Sequence, residues 1–553
     1  MLTVQNPESH DWANMDIKDL LIGNTLDSFV TYGLLDKLEL PEQTKQVNLL
    51  LSHCLPIFNS MEERGLDVDR EVLDKIHAAI QKQILLNEQA LKDIVIVKEF
   101  SEEFNVASNK QLDEFFTKYG NLAGDIRKTA NISRSPKTDK YSYNEVNLTK
   151  LKSKCNEMLT LGIGSLLTDT EMDTLSQIHD MLSVVLSNRE LKKLFSAYID
   201  TAKTIVETLG TNKLYCNYKF TGTVTGRLSC EAMQYGKEKL GVSMHTVPRN
   251  EKYNMRDVIV PSPEELEDGY LFFTIDYSAM ELRVLAQACK DLELIRAFKS
   301  GTDLHTVTAS KIFRKELDLV TSEERQIGKM TNFLTVYGGG PKRLAEVLNV
   351  PYPEARNIIK NYHKSFPGID EFRSRVVTGL KDCNETFSLF GRRRVCSEQY
   401  DDVEDKYDQF RLQRQAVNSI IQSSASDILL VSLVGLDKYI NENNIRGRMV
   451  ATVHDSIEFV MHRLDFFEHF QELVDVFVNP AYRDAGITSL YEYQRDSAVK
   501  ESPIESWEIP LEIDISLGRS FGSHMDLNFS YNSDEQNYVI HNTEDIVKYV
   551  STI

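Results

Sequence analysis

The stretch that most constrains this chain is residues 270–286, YLFFTIDYSAMELRVLA, in which a short apolar run passes directly into an amphipathic segment. The run at 270–275 is rich in β-branched and aromatic residues and has the length of a buried strand. The segment that follows repeats its apolar residues at helical spacing. Asp276 lies at the junction, where a carboxylate at the end of a buried strand needs a cation or a hydrogen-bond donor. The simpler alternative is that Asp276 caps the helix.

A second carboxylate stands in a similar position in RMVATVHDSIEFV, residues 448–460. Two β-prone runs flank a short turn, which predicts a hairpin with Asp455 at its tip. Two carboxylates on adjacent strands can hold two Mg²⁺ ions about 3.5–4 Å apart, the arrangement used for in-line phosphoryl displacement. The pair therefore favours a metal site over two unrelated surface aspartates.

A third stretch, TSEERQIGKMTNFLTVYGGGP at 321–341, predicts a helix that displays two cations and then two aromatic side chains. Thr321 and Glu324 are spaced as a capping box, and the glycines before Pro341 end the helix. Residues four apart drift only about 40° around a helix and share one broad face. Such a face suits a triphosphate at one end and a sugar and base at the other. The four residues of this face are Arg325, Lys329, Phe333 and Tyr337.

The DYSxxELR element, the RxxxKxxxFxxxYG helix and the VHD hairpin resemble, in order and spacing, the three polymerase motifs of family A DNA polymerases, the bacterial DNA polymerase I type and its phage relatives. The resemblance spans roughly residues 56–525. It implies a helix-rich α+β right-hand polymerase, in which the palm carries an antiparallel sheet and the fingers and thumb are helical. It also implies template-directed extension of a DNA primer with dNTPs, two Mg²⁺ ions, a cytoplasmic location and a role in phage DNA replication.

The resemblance also divides the chain. Its expected units are a segment resembling the end of a 3′–5′ exonuclease domain or a docking segment (1–55), the thumb (56–220), the first part of the palm (221–300), the fingers (301–395), the second part of the palm (396–525) and a tail of unknown role (526–553).

Roles for individual residues follow from the same resemblance. Asp276 and Asp455, with the carbonyl of Tyr277, would hold the metal ions, and Lys329 would take part in catalysis. Glu281 would lie under the sugar and exclude a 2′-hydroxyl. The residues expected to bind the nucleotide are Glu281, His305, Arg325, Lys329, Phe333 and Tyr337. Those expected to contact DNA are Arg227, Arg283, Arg414, Asn418, Gln422 and His454.

Three positions depart from the family pattern. Ser456 stands where the family usually has a glutamate, so a third-carboxylate role is either lost or shifted to Glu458 on the same strand face. His245 replaces a glutamine in the template-strand segment, and Ala279 replaces a commonly polar residue. None of these changes removes the aspartate pair, so activity is expected to survive with an altered rate or fidelity.

Composition limits the alternatives only weakly. The formal net charge of −20 argues against a nucleic-acid partner, but residues 126–154 carry eight Lys or Arg against two acids, and Arg392 to Arg394 form another basic spot. The seven cysteines have no metal-ligand spacing and indicate reduced thiols. No run of 18 apolar residues and no secretory signal is visible in the sequence.

The amphipathic segment from Leu21 resembles the last helix of a proofreading exonuclease domain. Asp27 would be its metal ligand, but Gly23 stands where that domain has a tyrosine. The chain is therefore expected not to proofread unaided. A separate 3′–5′ exonuclease polypeptide and a processivity factor remain open as partners.

Two other functions remain open at this point. A single-subunit RNA polymerase shares the two aspartates and the Arg-Lys-Tyr helix, although Glu281 and Phe333 favour the DNA enzyme. A catalytically inactive DNA-binding replisome subunit is the other, and the intact aspartates and cations argue against it.

Overall fold

A computed structural model describes residues 41–551, except residues 102, 123, 136–137, 161–166, 249, 251, 397–399 and 495–498. Gly23, Asp27 and Lys137, one of the eight cations in the basic segment 126–154, lie outside the described residues. Long helices surround one larger antiparallel sheet, which confirms the helix-rich α+β class.

The α-helices are numbered in chain order. They are α1 Glu42–Arg64, α2 Arg70–Asp93, α3 Val95–Phe100, α4 Asn109–Tyr119, α5 Ile126–Thr129, α6 Glu145–Thr160, α7 Asp169–Leu194, α8 Asp200–Leu209, α9 Pro263–Asp268, α10 Met280–Cys289, α11 Leu292–Lys299, α12 Leu304–Phe313, α13 Ser322–Val336, α14 Pro341–Leu348, α15 Tyr352–Ser365, α16 Pro367–Cys383, α17 Lys406–Glu442, α18 Arg463–Glu468, α19 Phe470–Val478 and α20 Thr543–Val550. A π-helical turn, Phe195–Ile199, joins α7 to α8.

The strands are numbered in the same way. They are β1 Leu66–Asp67, β2 Lys213–Leu214, β3 Cys216–Lys219, β4 Ser229–Ala232, β5 Gln234–Tyr235, β6 Glu238–Lys239, β7 Tyr270–Tyr277, β8 Glu385–Phe387, β9 Arg393–Val395, β10 Gly447–Val453, β11 Ser456–His462, β12 Ser489–Tyr493, β13 Val499–Pro503, β14 Ile513–Gly518, β15 Met525–Leu527, β16 Phe529–Asn532 and β17 Asn537–Ile540.

The main sheet has the order β10-β11-β7-β14-β15, and every neighbouring pair is antiparallel. The strand predicted at 270–275 is β7, which continues through Asp276 to Tyr277 and lies in the middle of the sheet. The predicted hairpin is β10 and β11, joined by His454 and Asp455. The N-cap of α10 is Ala279, in the left-handed region, and no side chain caps this helix, so the N-cap alternative for Asp276 is wrong.

The two faces of this sheet differ in chemistry because directly opposite residues of antiparallel strands share a face. One face is apolar: the Phe273 ring stacks on Phe466 with centroids 4.0 Å apart and lies 5.4 Å from Phe459. On the other face, the register aligns Ser456, Asp276 and Asp514 in one row. The next row holds Glu458, Thr274 and Ser516. The polar face therefore carries the aspartate that the sequence singled out.

The 37-residue helix α17 extends well beyond the helix predicted at 411–430 and packs against α1, α10 and α16. By length and composition it is the one helix in the described part of the chain that could cross a membrane. Its most apolar window is 89% buried inside the protein, as in the core helix of many folds. Asp427, buried in α17, pairs with Arg392 from the β8–β9 hairpin and Ser388.

Apolar residues form three clusters within the described ranges. The largest includes the sheet, α10, α17 and α19. A second, around Phe115, Leu151 and Ile178, fills the space among α4, α6 and α7. The third is small and joins α12, α14 and α15. Parts of the helical segments before and after β7 therefore have cores of their own, whereas α1, α2, α8 and α16 contribute to the largest cluster.

The basic segment 126–154 is only partly a surface feature. Arg127 is buried and donates hydrogen bonds to Asp125 at 2.9 Å and to Asp113 at 3.0 Å. It therefore stabilises the packing around α4 and α5 and does not face solvent. Arg134 is exposed and lies over the Tyr141 ring. Fewer cations of this segment are therefore available to bind phosphate than their number in the sequence indicates.

The tail also has a definite structure. Strand β15 joins the main sheet through β14, and β16 and β17 form a hairpin. Phe529 contacts the Phe470 ring at 5.5 Å, and Gln471 bonds the backbone of Tyr538 at 2.6 Å in both directions. The tail is therefore packed against α19.

Candidate nucleotidyl-transfer site

Asp276 and Asp455 come from two hydrogen-bonded strands. Asp276 is the second-last residue of β7 and lies opposite Ser456, the residue that follows Asp455. The amide of Tyr277 donates to the carbonyl of Asp455 at 3.2 Å. His454 has a φ of 60°, which lets the hairpin turn within two residues. The structure thus brings the two predicted aspartates to the same end of the sheet.

Asp455 is half-buried and lies near a cation. The Arg227 Nη2 atom is 4.0 Å from its Oδ1 atom. Burial raises the pKa of Asp455, whereas the charges of Arg227 and His454 lower it. Nearby positive charge therefore favours the ionised form of Asp455, and burial disfavours it.

Glu281 lies beside the same arginine. It is in the first turn of α10, is only 5% exposed, and its carboxylate forms an ion pair with Arg227. Burial raises the pKa of Glu281 and Arg227 lowers it. Burial and the Glu281 charge raise the pKa of Tyr337 to about 12. Glu281, Arg227, Tyr337 and Asp455 consequently form one group, and the arginine expected to contact DNA is engaged with protein carboxylates here.

Glu458 lies on the polar face one row behind Asp276. Its carboxylate accepts hydrogen bonds from the hydroxyls of Ser456, at 2.6 Å, and Thr274. It is 1% exposed, and burial raises its pKa to about 7, although the two hydroxyls lower it. The serine that replaces the family glutamate is thus hydrogen-bonded to a carboxylate two residues further along the strand.

A cavity of about 560 Å³ opens on this polar face. It is lined by carboxylates of Asp276, Asp514 and Asp526, and also by Arg256 and His524. Ser278 donates to Asp514 at 2.6 Å. Asp526 comes from β15, so the tail contributes to this cavity, a feature that the sequence did not reveal.

A second cavity, of about 390 Å³, lies between the start of α10 and helices α12 and α13. Its lining includes His305, Arg325, Lys329 and Phe333, all four predicted from the sequence. The four residues of the predicted face, three on α13 and Tyr337 at its C-cap, are exposed, as their spacing indicates. Gly338, with a φ of 69°, ends this segment, and the Thr321–Glu324 capping box is present. The α13 wall of the cavity therefore carries Arg325 and Lys329, and Asp303, Glu512 and Asp514 also contribute to the lining.

The arginine of this wall is held by an aspartate. Arg325 donates to Asp303 from Nε at 2.8 Å and from Nη2 at 3.0 Å. Burial would raise the pKa of Asp303, but hydrogen bonds from Arg325 and Thr306 lower it to about 2. Burial, together with the charges of Arg325 and Lys329, lowers the pKa of His305, against the effect of Asp303. Near neutral pH the His305 ring is therefore uncharged in this state.

Three predicted DNA-contacting residues share a strip on α17. Arg414, Asn418 and Gln422 are half-buried, whereas most residues between them on this helix are buried. The loop before Arg227 packs here, since a Cβ on Gly226 would lie 3.1 Å from that of Ser423. His454 is exposed at the hairpin tip, and its ring is 5.8 Å from that of His245. The strip on α17 is thus close to the loop that carries Arg227, which itself lies 4.0 Å from Asp455.

His245, the residue that replaces the family glutamine, is bound to the protein. Its Nε2 atom lies 2.8 Å from the carbonyl of Thr452 in β10. Burial and the nearby His454 charge lower its pKa to about 4, while the bond to Thr452 raises it. His245 therefore supports the hairpin that carries Asp455.

Arg283 does not fit its predicted role. Its side chain is 3% exposed and donates to the carbonyls of Ser278 at 2.9 Å and Pro510 at 2.5 Å, and to Glu512 at 2.5 Å. A buried guanidinium with these partners ties α10 to the segment before β14. This placement does not support a direct contact with DNA, and the burial of Arg283 could not be inferred from the spacing of residues in the sequence.

Sequence reasoning also missed Asn332 and Thr308, which lie behind His305. The amide nitrogen of Asn332 is 3.1 Å from His305 Nδ1, and Thr308 donates to the amide oxygen at 3.0 Å. Asn332 follows Gly328 by four residues, on the face of α13 that packs against α12. The available signal in the sequence was a polar residue, Asn332, at a helical position expected to be buried, since a buried polar side chain needs a hydrogen-bond partner.

The sequence model for DNA polymerase family A matches residues 70–523, which is most of the chain. The chain therefore belongs to DNA polymerase family A, as the motifs predicted. The tail beyond residue 523 lies outside that match.

Curated relatives include DNA polymerase I of Geobacillus stearothermophilus, 28% identical over 426 residues that cover 77% of this chain and 42% of that protein. DNA polymerase I of Chloroflexus aurantiacus is 29% identical over 409 residues, covering 73% of this chain and 38% of that protein. The chain thus spans about two fifths of the length of these relatives. Both are bacterial proteins, and phage origin stays a prediction.

Among solved structures, the POL domain of Pol1 from M. smegmatis, in complex with DNA primer-template and dNTP, matches with a TM-score of 0.65 at 23% identity. The match covers 85% of this chain and 70% of that one. It supports the right-hand polymerase fold.

Proposed function

We propose that this protein is a template-directed DNA polymerase that extends a DNA primer with dNTPs. The observation that carries the proposal is the pairing of two aspartates from adjacent antiparallel strands, Asp276 and Asp455, beside a cavity whose α13 wall carries Arg325 and Lys329. Carboxylates at one end and cations at the other suit a reaction that joins a hydroxyl to a triphosphate and releases pyrophosphate.

We further propose that the units predicted from the sequence correspond to parts of the fold. The main sheet with α10 and α17 would be the palm, and the helices from α12 to α16 the fingers. The helices with the second apolar cluster would belong to the thumb. Two smaller apolar clusters, one among α4, α6 and α7 and one among α12, α14 and α15, support this division in part, whereas α16 and helices at the start of the chain share the largest cluster with the sheet.

The residues at the end of the sheet fit Mg²⁺, which prefers carboxylate and carbonyl oxygens. Asp276, Asp455 and the carbonyl of Tyr277 would hold it. When bound, Mg²⁺ supplies activation of the primer 3′-hydroxyl and neutralises charge on the leaving pyrophosphate. A group of three or more His, Cys, Asp or Glu side chains suited to one ion does not occur in the described ranges, which is consistent with ligands completed by backbone and substrate oxygens.

The chain's own side chains would orient the nucleotide. Arg325 and Lys329 would bind the phosphates, and Lys329 would neutralise charge that develops during transfer. Phe333 and Tyr337 would contact the sugar and base. Glu281, buried next to Tyr337, would occupy the space that a 2′-hydroxyl needs.

The strip formed by Arg414, Asn418 and Gln422 would contact the primer–template duplex, together with His454. Arg227 would join them after releasing Glu281 and Asp455. Minor-groove acceptors are similar in all base pairs, which suits contacts that do not depend on sequence. The smaller basic patch in segment 126–154 would add phosphate contacts.

The aspartate pair is tested by Asp276→Asn and Asp455→Asn in primer extension. Each change removes an anion needed to organise the ions, so we expect extension to fall by roughly 10³-fold or more while DNA binding persists. The exposed tail variant Asp534→Asn is the control. Normal turnover in either active-site variant would rule out the two-metal assignment.

Sugar selection is tested by Glu281→Ala. Removal of the buried carboxylate opens space at C2′, so ribonucleotide incorporation should rise by orders of magnitude in single-nucleotide assays. Phe333→Tyr should separately ease dideoxynucleotide uptake. Unchanged selectivity in both variants would contradict these roles, and efficient extension of the wild type with rNTPs would favour an RNA polymerase.

A further inference from the structure

A buried polar network lies between α12 and α13, directly behind the cavity that Arg325 and Lys329 line. Asn332 and Thr308 are both 0% exposed. The Thr308 hydroxyl donates to the Asn332 amide oxygen at 3.0 Å, and the amide nitrogen is 3.1 Å from His305 Nδ1. Such a network is costly to bury unless each group has a partner.

The network determines which of the two ring nitrogens of His305 carries a hydrogen. Because the amide oxygen accepts from Thr308, the amide nitrogen is the group that faces Nδ1. An amide nitrogen only donates, so Nδ1 must accept and cannot carry a proton. In a neutral imidazole the hydrogen is then on Nε2.

The backbone of His305 is also held close to α13. A Cβ on Gly328 would lie 2.4 Å from the His305 carbonyl, so α12 and α13 touch here without a side chain between them. Nδ1 is occupied by the buried Asn332, so Nε2 is the ring nitrogen left to face the cavity, which His305 lines together with Arg325 and Lys329. The Nε2 hydrogen is therefore presented towards the cavity.

We propose that Asn332, fixed by Thr308, is a positioning residue that holds His305 as the neutral Nε2–H tautomer and so presents a hydrogen-bond donor to the triphosphate. The inference rests on the proposed function for the identity of the ligand, but its statement about the ring does not. A neutral donor adds a contact to a phosphate oxygen without adding a third charge to the wall formed by Arg325 and Lys329.

The test is a long-range ¹H–¹⁵N spectrum of histidine-labelled protein near neutral pH, with the His305 signals assigned by their loss in His305→Ala. We expect a protonated Nε2 and an unprotonated Nδ1 in the wild type. Asn332→Asp turns the partner into an acceptor, so both ring nitrogens should become protonated. Asn332→Leu and Thr308→Val should give a mixture of neutral tautomers.

Thr331→Val is the matched control, because Thr331 is equally buried on α13 and its hydroxyl bonds only the Ile327 carbonyl, at 2.8 Å. Its spectrum should be that of the wild type. A protonated Nδ1 in the wild type, or an unchanged spectrum in both Asn332→Leu and Thr308→Val, would overturn the proposal.

Binding of dNTP to a complex with a dideoxy-terminated primer supplies the functional readout. His305→Ala should weaken binding about tenfold or more, the effect of losing a hydrogen bond to a charged group. Asn332→Leu should weaken dNTP binding about threefold to tenfold when His305 is present. In the His305→Ala background it should have no further effect, because Asn332 acts through His305. If Asn332→Leu weakened dNTP binding equally in the wild-type and His305→Ala backgrounds, the role of Asn332 would be merely structural. A different outcome is also informative: the spectra could be as expected while His305→Ala leaves dNTP binding unchanged. That result would support the ring assignment but would count against the proposed nucleotide site.

Discussion

At the scale of single residues, Glu458 is an ionisable side chain in the interior of the polar sheet face. Ser456 and Thr274 both donate to it, yet burial dominates and its pKa is raised from 4.5 to about 7. A carboxyl with a raised pKa binds its proton more tightly in the folded protein than in the unfolded chain. Its favourable contribution to stability is therefore complete below about pH 4.5 and is lost as the pH rises through about 7.

We expect Glu458→Gln to raise the melting temperature near pH 8 but to change it little near pH 5. A change in the pKa of Glu458 from 4.5 to about 7 corresponds to a destabilisation of about 3 kcal/mol at the higher pH. Thermal unfolding in EDTA, which removes divalent ions from the neighbouring aspartates, is the measurement. Glu535→Gln, on the exposed β16–β17 turn, is the control. If Glu458→Gln changed the melting temperature by the same amount at both pH values, the raised pKa of Glu458 would be contradicted.

At the scale of elements, the contact between α12 and α13 sets the geometry of the nucleotide cavity. Both helices contribute to its lining, and they approach most closely where Gly328 meets the His305 carbonyl. The obstacle that a larger residue would meet is backbone, which cannot move aside as a flexible side chain can.

Gly328→Ala should therefore separate α12 from α13 and displace His305 relative to Arg325. Overpacking of this kind costs about 1–3 kcal/mol, so we expect kcat/KM for nucleotide incorporation to fall about tenfold or more. Gly340→Ala is the matched control, because its Cβ would meet no atom within 4 Å and its φ is −103°. Wild-type kcat/KM in Gly328→Ala would show that this contact does not set the site.

At the scale of the whole molecule, the apolar clusters divide the protein into units of different local stability. The cluster among α4, α6 and α7 is separate from the one beneath the sheet. Units with their own cores can open independently, and the least stable regions are those with fewer shared contacts.

Leu151→Ala should test this division, because Leu151 is fully buried in the separate cluster. We expect a local loss of about 2–5 kcal/mol and faster hydrogen exchange confined to residues 109–185. Ile428→Ala, in the buried part of α17, should instead accelerate exchange in the sheet and in α10. Faster exchange throughout the protein for Leu151→Ala would indicate one cooperative unit.

The sequence by itself determined the local elements that carry the chemistry: the strand and helix around Asp276, the hairpin at Asp455, and the exposed face of α13. Each depends on interactions within a few residues, namely alternation, capping and helical spacing. The family, and with it the fold class, followed from their order along the chain.

Only the tertiary structure decided which polar groups meet across distant segments. The ion pair of Arg227 with Glu281, the burial of Arg283, the Asn332–His305 bond and the position of Asp526 from the tail all join residues from different elements. Burial and partners, which set pKa values and the roles of cations, depend on packing between elements and have no periodic signature in the chain.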